Sequence, residues 1–523
     1  MMKKLNILFL IRGVLFLLLL TAGFGAGAAP TVQGYVYEDA NRNGRKDRRE
    51  AGIGNIAVSN GREVVLTDVK GKYVLPVNGD NIIFVIKPAG YRIETDEYNL
   101  PCSFHIHKPG GSPPLRYEGA KPTGNLPASL DFALVKYDEK ETFTSLVFGD
   151  SQIYNEDEAN YFERGIVDEA KTLTEPVFGI TLGDLVGDNL NLHLTYKNAV
   201  KKIGLPWYNV MGNHDMNYDA KADSLSDETF EANFGPASYA FNYGKAHFIV
   251  LDDILYPDPV DGKGYRGGFR NDQLDFVQND LQFVPRDRLI VICLHIPLIS
   301  FGEAFVEDGR QKLLHILDGY PNVLILSAHT HYQTQHFAGK EKGLNREKPV
   351  HEYNVGTSCG DWYSGVFDEK GIPVATMRDG TPKGYALLSV DGNQYALDYR
   401  VAGKPADYRI NLYCAKLNAS EIFANFFMGD SSSVLEYRVN QGEWKKMRKT
   451  EDYDPSYYHY VQEWDYIEEV RQGRRPSNPV RCTHLWHANI PSNLPAGKHT
   501  VEVRTTDRYG KTFSASKQYE KRK

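Results

Sequence analysis

The chain is poor in cysteine, tryptophan and net positive charge. Its 523 residues include 5 Cys, and 33 Tyr stand against 5 Trp. The formal charge of −7 argues against electrostatic steering onto nucleic acid. The cysteines (Cys102, Cys293, Cys359, Cys414 and Cys482) are scattered and odd in number. No CxxC is present, which excludes a zinc ribbon. Cys293, inside an apolar run, reads as a small core residue. Cys414 and Cys482 share one C-terminal region and are candidates for a disulfide in an oxidising compartment. Heptads and clean internal repeats are also lacking. Beyond Leu20 no stretch is long enough to cross a membrane.

The start of the chain is different. Lys3-Lys4 precede a mostly apolar run from Leu5 to Leu20, and small residues follow from Ala22 to Ala29. That order reads as a secretory signal peptide, with an uncleaved anchor as the alternative. The mature protein is therefore expected to be exported, to the periplasm or beyond. The length allows roughly three or four domains. Residues 30–137 alternate in hydrophobicity as an all-β domain, and 401–523 return to that pattern. Residues 138–400 alternate strand and helix patterns, which implies an α/β layered domain. Candidate helices are Asn155–Thr172, Leu190–Ile203 and Asp272–Leu281.

The central region holds the chemistry. The apolar run 206–211 ends in Gly212-Asn213-His214-Asp215. Four other apolar runs end alike: 143–148 in Gly149-Asp150-Ser151-Gln152, 177–182 in Gly183-Asp184, 289–294 in His295, and 323–327 in Ala328-His329-Thr330-His331. In open α/β sheets ligands bind outside the carboxyl ends of strands. Polar caps of these types contribute nothing to core packing, so five in order point to one converging ligand set. Carboxylate, amide and imidazole together suit two divalent ions of intermediate hardness, such as Mn, Fe or Zn. Two such ions about 3.5–4 Å apart share a ligand, clamp a phosphoryl group and make water nucleophilic.

Asp39 to Glu50 has a second spacing. Oxygen donors Asp39, Asn41, Asn43, Asp47 and Glu50 fall at calcium-loop positions, with Gly44 at the bend. A solvated polar turn is the alternative. Trp362, within Gly360-Asp361-Trp362-Tyr363, and the aromatic stretch from Tyr453 to Tyr466 are candidates for stacking against a base or sugar. The second reads as an exposed loop or a sugar-facing surface.

The ordered motifs from 143 to about 335 resemble the calcineurin-like metallophosphoesterases. The resemblance implies a four-layer α/β sandwich, and the flanks resemble the β-sandwich domains of a secreted bacterial subgroup, the first one prealbumin-like. Matched residue by residue, it implies that Asp150, Gln152, Asp184 and His331 hold one ion. Asp184 would bridge to a second held by Asn213, His295 and His329. A hydroxide bridging the ions would attack phosphorus. His214 would donate a proton to the leaving group, oriented by Asp215 or a neighbour, with Asp188 and Asn189 as further candidates for orienting ligands. Gln152 departs from the usual histidine. It is the one feature that favours the alternative, a non-catalytic surface or glycan-binding protein keeping the metal fold.

Overall fold

The computed structural model describes residues 30–340, 344–466 and 471–523. The expected signal peptide, 1–29, lies outside them. Among the described residues no helix is long and apolar enough to cross a membrane.

Two sheets form the middle of the chain. The first has five strands in the order Trp207–Val210, Pro176–Leu182, Thr142–Phe148, Gly384–Asp391, Gln394–Val401. Its first three strands are mutually parallel, so their carboxyl ends share an edge. The second has six strands in the order Tyr239–Tyr243, Ala246–Val250, Leu289–Cys293, Asn322–Ser327, Val350–Asn354, Thr334–Ala338. Its four inner strands are parallel and its two edge strands antiparallel.

Strand periodicity decides what each face buries. Val147 and Ile180 of the first sheet join Val291, Cys293, Leu324 and Leu326 of the second in one core. Leu146, Phe148, Ile290 and Ile292 point the other way, against the helices. Those helices include Asn271–Leu281, Glu307–Leu317 and a long irregular one from Glu156 to Ala170. The last is the expected helix with a π-helical turn at Glu163–Val167. Its start is capped by Asn155, whose side chain accepts from the Glu158 amide. Each fully buried large apolar side chain adds about 1.5–3 kcal/mol.

On the amino side are two four-stranded sheets, built from residues between Thr31 and Lys136. On the carboxyl side are two more, built between Ile410 and Lys521. The carboxyl-side sheets share their core with the central sheets, through Ile422, Phe426 and Trp486. Two details differ from the sequence expectation. All five cysteines are free, and Cys482 rests 3.3 Å from the His484 ring instead of meeting Cys414. The aromatic stretch expected as a loop is a helix, Pro455–Asp465, with proline in its first turn and Asp454 capping the Tyr457 amide. Proline fixes φ for a helix start, and the run of tyrosines hid that signal.

The segment 108–127 carries no strand and ties the amino-side sheets down. Buried Lys108 bonds to Glu228 at 2.6 Å and lies 2.8 Å from Glu231, on the helix Glu228–Phe234. Removing one member of a buried ion pair strands the others in low dielectric. We expect Lys108→Ala to cost about 3–5 kcal/mol, read as a lower denaturant midpoint at unchanged slope. A midpoint within error of the wild type would mean the cluster carries no net stabilisation.

Candidate metal centre

The strand tips converge. Asp150, Gln152, Asp184, Asn213, His295 and His331 are all buried, at 2% exposure or less, and His329 is half-buried. Asp184, His295 and His329 place ligand atoms within 4.8 Å of one another. His295 Nε2 lies 3.3 Å from Asp184 Oδ2, 3.1 Å from Asn213 Oδ1 and 3.1 Å from His329 Nδ1. On the other side, His331 Nε2 lies 3.2 Å from Asp150 Oδ2.

Hydrogen bonding fixes which atoms face inward. His295 Nδ1 bonds to the Leu182 carbonyl at 2.8 Å, and His331 Nδ1 to the Gly360 carbonyl at 2.7 Å. A carbonyl only accepts, so each bond puts the proton on Nδ1 and the lone pair on Nε2. Each Nε2 lone pair then faces carboxylate or amide oxygens, which are acceptors as well. Asp150 Oδ2 and Gln152 Oε1 are buried without a hydrogen-bond partner. Buried acceptors turned on one another are costly unless positive charge lies between them. The donor set therefore fits divalent cations, in two adjacent groups. A proton on the His295 ring is one such charge when no ion is bound. Burial alone would lower the His295 pKa, yet Asp184 and Asp150 push it up to about 10.

The backbone is bent to make this set. Gln152, Asp184, His329 and His331 all have positive φ, at 36°, 49°, 72° and 54°. For residues with a Cβ this region costs about 1–3 kcal/mol each, and such strain clusters at functional sites. Two glycines allow the close approach. A Cβ on Gly183 would meet the His295 ring at 2.5 Å, and one on Gly212 would meet the Asp184 amide at 2.0 Å.

His214 sits at the rim, its Nδ1 2.6 Å from Asp188 Oδ1. Burial disfavours its charged form, but Asp184 and Asp188 outweigh that and raise its pKa. Asp215 does not orient it. Its carboxylate accepts the amides of Leu185, Val186 and Gly212 at 3.0, 3.2 and 2.9 Å. Three backbone donors turn that side chain away from the imidazole. Among the described residues the Asn189 side chain makes no bond to the ligand set; its carbonyl accepts from the Leu192 amide.

Some site residues were missed in the sequence. Asp253 holds the amides of His295 and Ile296, and burial pushes its carboxyl up to about 7. The signal was present, since Asp252-Asp253 follow the apolar strand Ala246–Val250. Tyr154, Tyr265 and Phe301 approach the rim rings: Tyr154 lies 6.1 Å from His214, and Tyr265 and Phe301 lie 6.2 and 5.1 Å from His329. Trp362 stacks on His331 at 3.9 Å and 22°. In the loop 39–50, Asp39 accepts the amides of Asn43 and Gly44, Asp47 accepts the side chains of Asn41 and Asn43, and Glu50 accepts the amides of Ala40 and Asp47. The five oxygen donors thus fold onto one another, apart from the central site.

Residues 143–333 match the model for calcineurin-like phosphoesterase. Residues 40–117 and 352–513 match the models for the N terminal and the C terminal of calcineurin-like phosphoesterase. A probable glycerophosphodiester phosphodiesterase GpdQ of Arcobacter nitrofigilis is 26% identical over 185 residues, covering 34% of this chain and 65% of that protein. The match thus spans less than two thirds of the relative's length. The purple acid phosphatase PPD1 of yellow lupin (Lupinus luteus) overlaps 66% of this chain and 67% of its own, at 13% identity and a TM-score of 0.36. A likeness that loose carries no weight for fold or function.

Asp184 is the carboxylate nearest the imidazoles of the second group. We expect Asp184→Ala to lower divalent metal content by at least one ion per chain in elemental analysis after manganese loading. Unchanged content would place Asp184 outside the metal centre.

Proposed function

The chain belongs to the calcineurin-like phosphoesterase family, and from that premise we propose that its strand-tip site hydrolyses a phosphomonoester or phosphodiester. The observation that carries this reading is the set of buried acceptors facing one another, with Asp150 Oδ2 and Gln152 Oε1 left unpartnered. Asp150, Gln152, Asp184 and His331 would hold one divalent ion, of Mn, Fe or Zn. Asp184, Asn213, His295 and His329 would hold the second. When bound, the ions supply Lewis-acid charge that polarises the phosphoryl oxygens and makes water a nucleophile at neutral pH.

The residues of the chain do the rest. Gln152 donates its Nε2–H to the Tyr154 hydroxyl at 3.3 Å, which turns its carbonyl inward. An amide oxygen there keeps the ligand function of the usual histidine, and His214 together with His329 and His331 favours an enzyme over a binder. Asp188 fixes His214 by its Nδ1, so Nε2 is the nitrogen left to protonate a departing alkoxide. Asp184 and Asp188 favour the charged ring against the cost of its burial. Asp253 holds the backbone of His295, and the Leu182 carbonyl holds its ring.

The two central sheets with their outer helices would form a four-layer α/β sandwich over 138–400, flanked by β-sandwiches over 30–137 and 401–523. The pairs of four-stranded sheets on either side support that division. Residues 1–29 would be removed on export, and the first residue of the mature protein, read by amino-terminal sequencing, tests this. A mature chain starting at Met1 overturns it. The loop 39–50 would hold calcium, and an absence of heat on titrating calcium into the chelator-treated protein would remove that assignment.

We expect manganese-loaded protein to release product from a panel of chromogenic phosphomonoesters and phosphodiesters. His214→Ala should lower kcat about 10²–10⁴-fold with metal content unchanged. A wild-type protein inert on the whole panel would overturn the enzyme reading. Loss of metal from the variant would make His214 a ligand.

A further inference from the structure

Beside the metal centre lies an open cleft of about 630 Å³. Tyr154, Glu158, Asp361, Trp362 and Arg474 line it. Two of these residues touch the centre directly. Trp362 stacks on His331, and the Tyr154 hydroxyl accepts from Gln152 while its ring meets His214 edge-on. Whatever is attached to a phosphoryl group at the centre therefore has this cleft as its neighbour.

One wall comes from the carboxyl-side part of the chain. Arg474 gives a guanidinium N–H to the carbonyl of Trp362, 112 residues away in sequence. Its own carbonyl accepts from the Gly365 amide at 2.7 Å. The Ser477 amide donates to Asp361 Oδ2 at 2.7 Å, and the Val366 amide donates to the Tyr460 hydroxyl at 2.9 Å. Trp362 and Tyr363 are both held at positive φ, 47° and 53°, in the loop these bonds grip.

The lining is mixed in a particular way. Trp362 and Tyr154 offer aromatic faces. Asp361 is fully buried and its Oδ1 has no hydrogen-bond partner. Glu158 adds a second acceptor, and Arg474 adds donors. Arg475 is already spent on Asp465, at 2.6 and 2.9 Å. Neither sign of charge dominates, so the cleft is not built for a second phosphate or for an ammonium group. Ring faces combined with both acceptors and donors match a polyhydroxylated ring. We propose that this cleft holds the alcohol side of the phosphoester, that the alcohol is a sugar, and that Arg474 reads its hydroxyls. The proposal rests on the phosphoesterase reading only for the position of the phosphoryl group.

The test compares two phosphomonoesters of equal ring size, glucose 1-phosphate and cyclohexyl phosphate. A monoester is the substrate of a monoesterase and the product of a diesterase, so its affinity reports on the cleft in either case. Binding is measured by calorimetry on the manganese-loaded full chain carrying His214→Ala, which suppresses turnover. The sugar phosphate should bind at least about tenfold more tightly, because a site built to hydrogen-bond hydroxyls rejects an analogue lacking them. Adding Arg474→Ala should collapse that ratio to within about threefold while cyclohexyl phosphate affinity changes little. Glu158→Gln should shrink the ratio as well, and it serves if the arginine variant does not fold. An equal affinity for the two ligands in the parent overturns the proposal. So does an equal loss on both ligands in Arg474→Ala, which would mark that residue as holding the loop only. Failure of the wild type on the chromogenic panel with the ratio intact would remove the enzyme reading and leave the sugar cleft standing.

Discussion

The structure turns on lone pairs that face one another. Asp184 Oδ2, Asn213 Oδ1 and His329 Nδ1 surround His295 Nε2, and His331 Nε2 faces Asp150 Oδ2, in largely buried space. Such a space is stable only with positive charge inside it. Everything nearby serves that arrangement: parallel strands bring the tips to one edge, left-handed backbone aims the side chains inward, and the Leu182 and Gly360 carbonyls fix His295 and His331 by their outer nitrogens.

That demand explains why polar residues sit so deep. In most cores a buried carboxylate would be neutralised by a shifted pKa or by an arginine. Here Asp150 and Asp184 accept the backbone amides of His329 and His214, at 3.0 and 2.9 Å, and the titratable partners beside them are imidazoles, themselves candidate ligands. The arginines and lysines that neutralise buried acids are elsewhere. Arg270 lies among Asp223, Asp227 and Asp252, and Lys108 between Glu228 and Glu231. The chain keeps its own cations for structure and leaves the strand-tip acids to a different kind of charge.

Much of this was legible in the sequence, for a physical reason. A parallel sheet buried on both faces needs apolar runs, and a ligand at its edge needs polar residues immediately after them, so Asp150, Asp184, Asn213, His295, His329 and His331 stood out by position alone. What escaped notice depended on contacts between distant segments. Asp215 adjoins His214 in sequence yet binds three amides, and Asp188, 26 residues earlier, holds the ring. Arg474 reaches Trp362 across more than a hundred residues, and no local spacing encodes that. The helix Pro455–Asp465 was hidden because its tyrosines suit a loop as well as a helix face.

Asp215 has a last consequence. Its carboxylate staples the turn after one strand to the turn after the next, using main-chain N–H groups on both sides. The approach of the Asp184 turn to the Asn213 turn is therefore set by the polypeptide frame. Substitution of Asp215 would then loosen two turns at once without removing a single candidate ligand.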